Sequence, residues 1–201
     1  MENDFRSHVA DWREMNQTGR FAEARQYYFD KLFEEVIENF ENGSDDIWPL
    51  ERPVDVLFSV LGFTPEPIIL AARLLKPKRH IIFHDSGVKF NEDNMRYISK
   101  FLPDGFDKIE LPDESFATIY EVLKNRMALT PGLNYTINVT GGKKSMVAAA
   151  SIFARDFNAS VIYVDYHEYD ANLRRPMPGT EFLNVVYSPI RDLPELFHTT
   201  L

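Results

Sequence analysis

Between residues 54 and 165 one arrangement recurs: a short apolar run, a turn, then a longer stretch of helical periodicity. Residues 54–60, 80–84, 106–111, 135–139 and 160–165 carry the Val, Ile, Phe and Tyr content of strands. Between them, 65–75, 91–101, 115–129 and 146–157 place apolar residues at helical spacing. Pro65 and Pro67 suit the first turn of the first of these helices, and Ser115 suits the cap of the third. Four strand–helix units closed by a fifth strand predict an α/β, Rossmann-like fold, a mostly parallel sheet with helices on both faces. Ligands of such sheets sit at the carboxyl ends of the strands, near the point where the strand order reverses.

The pattern changes at both ends. Residues 166–173, a turn at 174–179 and 182–187 predict a C-terminal antiparallel β-hairpin. Residues 1–41 read as helical: after Thr18 or Gly19, Phe21, Tyr28, Leu32, Phe33, Val36, Ile37 and Phe40 fall near helical spacing, and the polar stretch 41–46 ends the run. The expected organisation is an N-terminal helical extension, 1–47, and a ligand-binding domain, 54–190, joined by a short linker.

Composition narrows the partners. The chain has no cysteine, which excludes a disulfide framework and thiolate metal sites and fits a reducing, cytoplasmic setting. No apolar run reaches the roughly 18 residues of a membrane span, and the polar start at Met1, Glu2, Asn3 and Asp4 is unlike a signal peptide. With 22 basic and 31 acidic residues the net charge is −9, which argues against a nonspecific binder of long nucleic acid. A small anion held in a locally basic pocket remains compatible with it.

Two turns carry the chemistry. The first is Ser59-Val60-Leu61-Gly62-Phe63-Thr64-Pro65, at the carboxyl end of the first strand. Gly62 gives backbone freedom and Ser59 and Thr64 offer hydroxyls; the alternative is an ordinary strand-to-helix turn capped by Thr64. The second is Asn138-Val139-Thr140-Gly141-Gly142-Lys143-Lys144-Ser145-Met146, behind the fourth strand. Paired glycines let backbone approach a ligand closely, and the free N–H groups of the following helical turn favour an anion. Lysines are unfavourable at the positive end of a helix dipole, so two of them there call for an anion. Neither turn is a Walker A loop, because Ile137 stands where the upstream glycine is required, and the dinucleotide Gly-x-Gly-x-x-Gly is missing.

His84, Asp85 and Ser86 end the second strand and line the same rim, or form a polar strand-end turn. His80 reads as a solvated boundary residue. Asp165, His167, Glu168 and Asp170 alternate along a strand, so neighbours face opposite ways, and no metal or other cofactor is expected. Arg174 and Arg175 are a solvated hairpin tip or a cover over an anionic ligand.

The pairing of the two turns resembles the CRISPR-associated Rossmann fold family over about 54–187. The family's common second turn is Asn-x-Thr-Gly-Gly-Thr-Lys-x-Met, and Lys143 replaces the usual threonine while Lys144 takes the lysine position. The resemblance implies a homodimer that binds a cyclic oligoadenylate, the second messenger of type III CRISPR complexes, on a shared two-fold axis. It implies that Lys144 contacts phosphate or ribose, that Thr140, Gly141 and Gly142 donate backbone hydrogen bonds, and that Ser59, Gly62, Phe63 and Thr64 hold phosphate or adenine. His84, Asp85 and Ser86 carry over less directly; Asn138, Lys143 and Met146 complete the candidate ligand-binding set. Two copies of the turn bring four lysines, which favours cyclic tetra-adenylate.

Three functions follow. The first is a sensor, whole or part of a longer effector, that passes ligand binding to an output. The second is a metal-independent ring nuclease, in which a ribose 2′-OH attacks the adjacent phosphodiester, Lys144 or Lys143 stabilises the developing charge and Ser59 orients the hydroxyl. The third is a nucleotide-binding enzyme on an unrelated doubly wound fold.

Overall fold

The computed structural model describes residues 2–43, 50, 53–85, 91–103 and 105–192. The chain divides into two compact units, one formed by Met1–Asp45 and Asp165–Phe182, the other by Asp46–Val164 and Leu183–Leu201.

The larger unit is built on β1 (Val56–Val60), α4 (Glu66–Leu75), β2 (Arg79–Asp85), α5 (Asn91–Phe101), β3 (Asp107–Leu111), α6 (Phe116–Leu129), β4 (Tyr135–Asn138), α7 (Lys144–Asp156) and β5 (Ser160–Tyr166), with β8 (Glu181–Tyr187) and α8 (Pro189–Asp192) after the hairpin. The sheet order is β3-β2-β1-β4-β5-β8. β1 runs parallel to β2 and β4, β2 to β3, and β4 to β5. The expected Rossmann-like α/β sheet is therefore present, and the order reverses between β1 and β4.

Alternation along the strands separates the two faces. Phe58, Phe83, Ile137 and Val161 point to the face covered by α6 and α7, where Ile119, Leu123, Met146, Ala150 and Phe153 complete the core. Leu57, Ser59 and Asn138 point to the other face, where α4 packs on β1 and against α5. Ser115 caps α6 as expected, its hydroxyl accepting the Thr118 N–H at 3.3 Å. α7 begins at Lys144, two residues ahead of the expected start, so Lys144 lies in its first turn. His80 is not a solvated boundary residue. β2 begins one residue earlier, at Arg79, which puts His80 inside the sheet and buries it.

In the smaller unit α1 (Glu2–Gln17) turns at Gly19 into α2 (Phe21–Tyr27), a π-helical turn (Tyr28–Leu32) and α3 (Phe33–Gly43). Tyr28, Phe29 and Phe33 pack edge to face or tilted there, with Phe29 and Phe33 ring centres 5.1 Å apart. The hairpin contributes β6 (Tyr169–Asp170) antiparallel to β7 (Arg175–Pro176). Its tip is at 171–174, not 174–179. Asp170 Oδ1 accepts the N–H groups of Asn172 and Leu173, and Arg174 adopts φ 53°. That side-chain-closed turn takes precedence over the Pro and Gly residues downstream. Asp170 also pairs with Arg13 at 2.7 Å, and the Phe5 ring sits over Gly179, so Asp165–Phe182 groups with the N-terminal helices.

Candidate functional site

The two glycine turns touch. A methyl group built on Gly62 would stand 2.7 Å from the Gly142 nitrogen, and one on Gly141 would stand 2.4 Å from the Val60 carbonyl oxygen and 2.6 Å from the Gly62 nitrogen. Gly142, at φ +87°, lies over Val60. The register explains the contact: Ser59 pairs with Asn138, so the chain leaves β1 and β4 side by side at the reversal point. This close approach of bare backbone is what three glycines at these positions permit and side chains forbid.

Both turns lead into helix N-termini that no side chain caps. α7 has Lys143 at its N-cap, and its first intrahelical bond runs from the Val147 N–H to the Lys143 carbonyl at 3.0 Å. The N–H groups of Lys144, Ser145 and Met146 precede that bond, where helix geometry gives them no partner. α4 has Pro65 at its N-cap and Glu66 in its first turn. The two helix starts lie at the carboxyl edge of the sheet, where the free N–H groups of α7 favour an anion.

The two lysines differ. Lys143 reaches Asp85 at 3.2 Å, from the end of β2, and Glu114, from the β3–α6 turn. Glu114 first and Asp85 second hold its ammonium above the ordinary lysine range. The Glu114 turn is itself fixed, because Asp113 accepts the Ser115 N–H at 2.7 Å and the Thr118 hydroxyl at 2.9 Å. Lys144 is exposed and has no ion pair among the described residues. The anion that two lysines at a helix start require is thus internal for Lys143 and remains to be supplied for Lys144.

Several candidates work behind the surface. Asn138 is buried; its Nδ2 donates to the Pro67 carbonyl at 3.0 Å, and its Oδ1 accepts the Thr140 N–H and hydroxyl at 3.1 and 2.6 Å. Thr140 Oγ1 in turn accepts the Val164 N–H at 2.8 Å. These two residues fasten β4, α4 and β5 around the elbow. Met146 is a core residue of the α7 face. Ser59 is 0% exposed and its hydroxyl is 2.9 Å from His80 Nε2. Burial pushes the His80 imidazole down to about 3, which keeps it neutral. Phe63 and Thr64 are exposed beside the elbow. His84 lies half-buried at the end of β2, with Nδ1 3.1 Å from the Asp85 carbonyl oxygen. Ser86 lies outside the described residues.

Asn94 and Glu114 were not among the candidates. Buried Asn94 donates from Nδ2 to the Phe63 carbonyl at 3.2 Å and so fixes the first turn from α5. Glu114 had one available signal, its place just past the end of the third strand. The polar residues after β5 have other partners: Asp170 binds Arg13 and the hairpin tip, and His167 stacks on Phe182 with ring centres 4.3 Å apart. Among the described residues, no helix is long and apolar enough to cross a membrane.

No protein-family model matches the chain. Among curated proteins it is 28% identical over 158 residues to the CRISPR system endoribonuclease Csm6 of Thermus thermophilus, a match that takes in 75% of this chain and 33% of that protein. The chain thus spans about a third of that relative's length. The match bears out the family resemblance drawn from the two turns. Solved structures with similar folds include Can2 from Sulfobacillus thermosulfidooxidans in complex with cyclic tetra-adenylate, at 21% identity over 55% of this chain and 32% of that one, TM-score 0.48. They also include Enterococcus italicus Csm6 bound to cyclic hexa-2′-fluoro-hexa-dAMP, at 16% identity over 57% and 34%, TM-score 0.46. A third is protein VC1899 from Vibrio cholerae, at 13% identity over 55% and 30%, TM-score 0.48.

Proposed function

We propose that this chain is a cyclic oligoadenylate sensor of a type III CRISPR antiviral response, acting as a homodimer that holds one ring on its two-fold axis. The observation that carries the reading is the elbow itself. Three glycines bring β1 and β4 backbone into contact, the start of α7 is uncapped by any side chain, and Lys144 at that helix start has no ion pair among the described residues. Such a place takes a phosphodiester: the first-turn N–H groups supply donors, Lys144 supplies charge, and the bare backbone lets the ligand approach. The 28% identity to a CRISPR system endoribonuclease supports the reading.

Cyclic tetra-adenylate is the proposed ring. With Lys143 committed to Asp85 and Glu114, a dimer brings two unpaired lysines to the axis rather than four. A ring of four phosphates asks less of them than a ring of six, and its two-fold symmetry matches that of the dimer.

The test is a titration with cyclic tetra- and hexa-adenylate in EDTA, read by melting temperature, stoichiometry and product analysis. The tetra-adenylate raises Tm more than the hexa-adenylate, one ring binds per two chains, and the ring is recovered intact. Lys144→Ala weakens binding by about ten- to a hundred-fold, as loss of a charge-assisted hydrogen bond does. If neither ring raises Tm, or if Lys144→Ala binds like the unaltered protein, the reading fails.

A further inference from the structure

We infer that the amino edge of the sheet carries a second site, a cavity that takes an uncharged purine: free adenine or its nucleoside. It lies at the opposite end of β4 from the elbow and does not rest on the elbow reading.

The cavity has a volume of about 320 Å³. Thr136 and Ser160 line it, paired in register across β4 and β5. They are 2% and 7% exposed, and neither hydroxyl has a hydrogen-bond partner among the described residues. Two neighbouring hydroxyls withdrawn from bulk water and left unpaired call for a partner. Asn158, which follows α7 at φ 53°, adds an amide that is also without a partner among the described residues. The walls are fixed before any ligand arrives. Asp55 accepts the N–H groups of Leu133 and Asn134 at 2.8 and 3.1 Å, and the Asn134 amide donates to the Pro53 carbonyl at 3.1 Å. Opposite them, Pro189 and Ile190 stand on α8, where Asp192 accepts the Ser188 N–H at 2.9 Å and Arg191 donates to the Val185 and Val186 carbonyls. A cavity with walls held in this way loses little freedom when it is filled.

The lining selects the ligand. Among the described residues that line the cavity none is charged, so it offers phosphate no counter-charge and differs in kind from the elbow. Its volume lies at the low end of the roughly 300–1,000 Å³ of ligand pockets, which suits one base rather than a chain of nucleotides. An asparagine amide presents a donor and an acceptor side by side, the pattern that adenine meets with N7 and its 6-amino group. Hydroxyls donate or accept, so Thr136 and Ser160 suit the remaining ring nitrogens. Leu133, Pro189 and Ile190 supply apolar surface for the faces of the base.

The experiment titrates the full chain with adenine, adenosine and purine, which lacks the 6-amino group, by calorimetry and by backbone amide NMR. Adenine binds, and purine binds about ten-fold more weakly. Adenosine binding as well supports the nucleoside as ligand, and adenine binding alone supports the free base. The signals of residues 133–136 and 158–160 move, and those of 141–146 do not. Thr136→Val and Ser160→Ala each weaken adenine binding about three- to ten-fold. Asn158→Gly, which keeps the left-handed backbone at an exposed position, weakens it about ten-fold and carries the test if a strand variant fails to fold. Cyclic tetra-adenylate added first does not displace adenine. Absence of binding by both adenine and adenosine overturns the inference and leaves the hydroxyls to water. Shifts confined to 141–146, or displacement by the ring, overturn it by placing the base at the elbow. Unchanged adenine affinity in Asn158→Gly overturns it as well.

Discussion

At the scale of single residues, the adjacent lysines divide two tasks. Lys143 stands where the resembling family carries threonine, and its ammonium lies between a carboxylate at the end of β2 and one in the β3–α6 turn. Its charge therefore does not add to the pocket; it cancels charge that would otherwise oppose a phosphate. The pair with Glu114 is exposed and contributes roughly 0–1 kcal/mol to stability, whereas Asp85 is buried, so losing its partner costs stability as well as binding. Lys143→Thr is expected to lower Tm modestly and to weaken cyclic tetra-adenylate binding by about three- to ten-fold, because Asp85 and Glu114 are left unneutralised near the anion. The double variant Lys143→Thr/Glu114→Gln then recovers part of the lost affinity. A double variant that binds no better than Lys143→Thr alone would instead make Lys143 a direct phosphate contact.

At the scale of elements, the site is the meeting of two strand ends, and its tolerance to substitution follows from backbone contact. An alanine methyl at Gly141 meets the Val60 carbonyl and the Gly62 nitrogen, atoms that cannot swing aside. Gly141→Ala is expected to cost about 1–3 kcal/mol of stability and to abolish ring binding. Gly43→Ala, at a helical position with nothing within 4 Å, keeps or slightly raises Tm. Equal melting temperatures for the two variants would refute the close approach. Strand–helix order and the glycine elbows were legible in the sequence because each is written locally, as a period of two or 3.6 and as Gly-Gly-Lys behind an apolar run. The clamps were not. Lys143 and Glu114, Phe63 and Asn94, and Ser59 and His80 are joined by topology, across separations of about twenty to thirty residues that no local pattern records. The hairpin tip was misplaced for a related reason, since Pro176, Pro178 and Gly179 are stronger turn signals than one aspartate accepting two N–H groups.

At the scale of the whole chain, the sheet of the larger unit separates the candidate site from the acid-sensitive groups along its strands. Its carboxyl edge carries the elbow. At its amino edge Asp55 accepts from Lys78 and from the N–H groups of Leu133 and Asn134, which together lower its carboxyl to about 2. Between the two edges His80 is neutral against Ser59, lowered to about 3 by burial. Both groups bind protons more readily unfolded than folded, so stability rises with pH across each window. For His80 the stabilisation is complete above the ordinary histidine value of 6.5 and is lost as pH falls from there toward 3. For Asp55 it is complete above 3.8 and is lost between 3.8 and about 2. The melting temperature should therefore begin to fall below pH 6.5, before ordinary carboxylates titrate. His80→Gln, which keeps a hydrogen-bonding partner for Ser59, should flatten the curve between pH 6.5 and 4. Asp55→Asn should lower Tm at neutral pH and remove only the descent below pH 4. Thermal unfolding followed by circular dichroism from pH 7 to 2 reads all three curves. If His80→Gln descends between pH 6.5 and 4 as steeply as the unaltered protein, the acid sensitivity arises elsewhere, and the buried imidazole is not what ties the site's supporting strands to neutral pH.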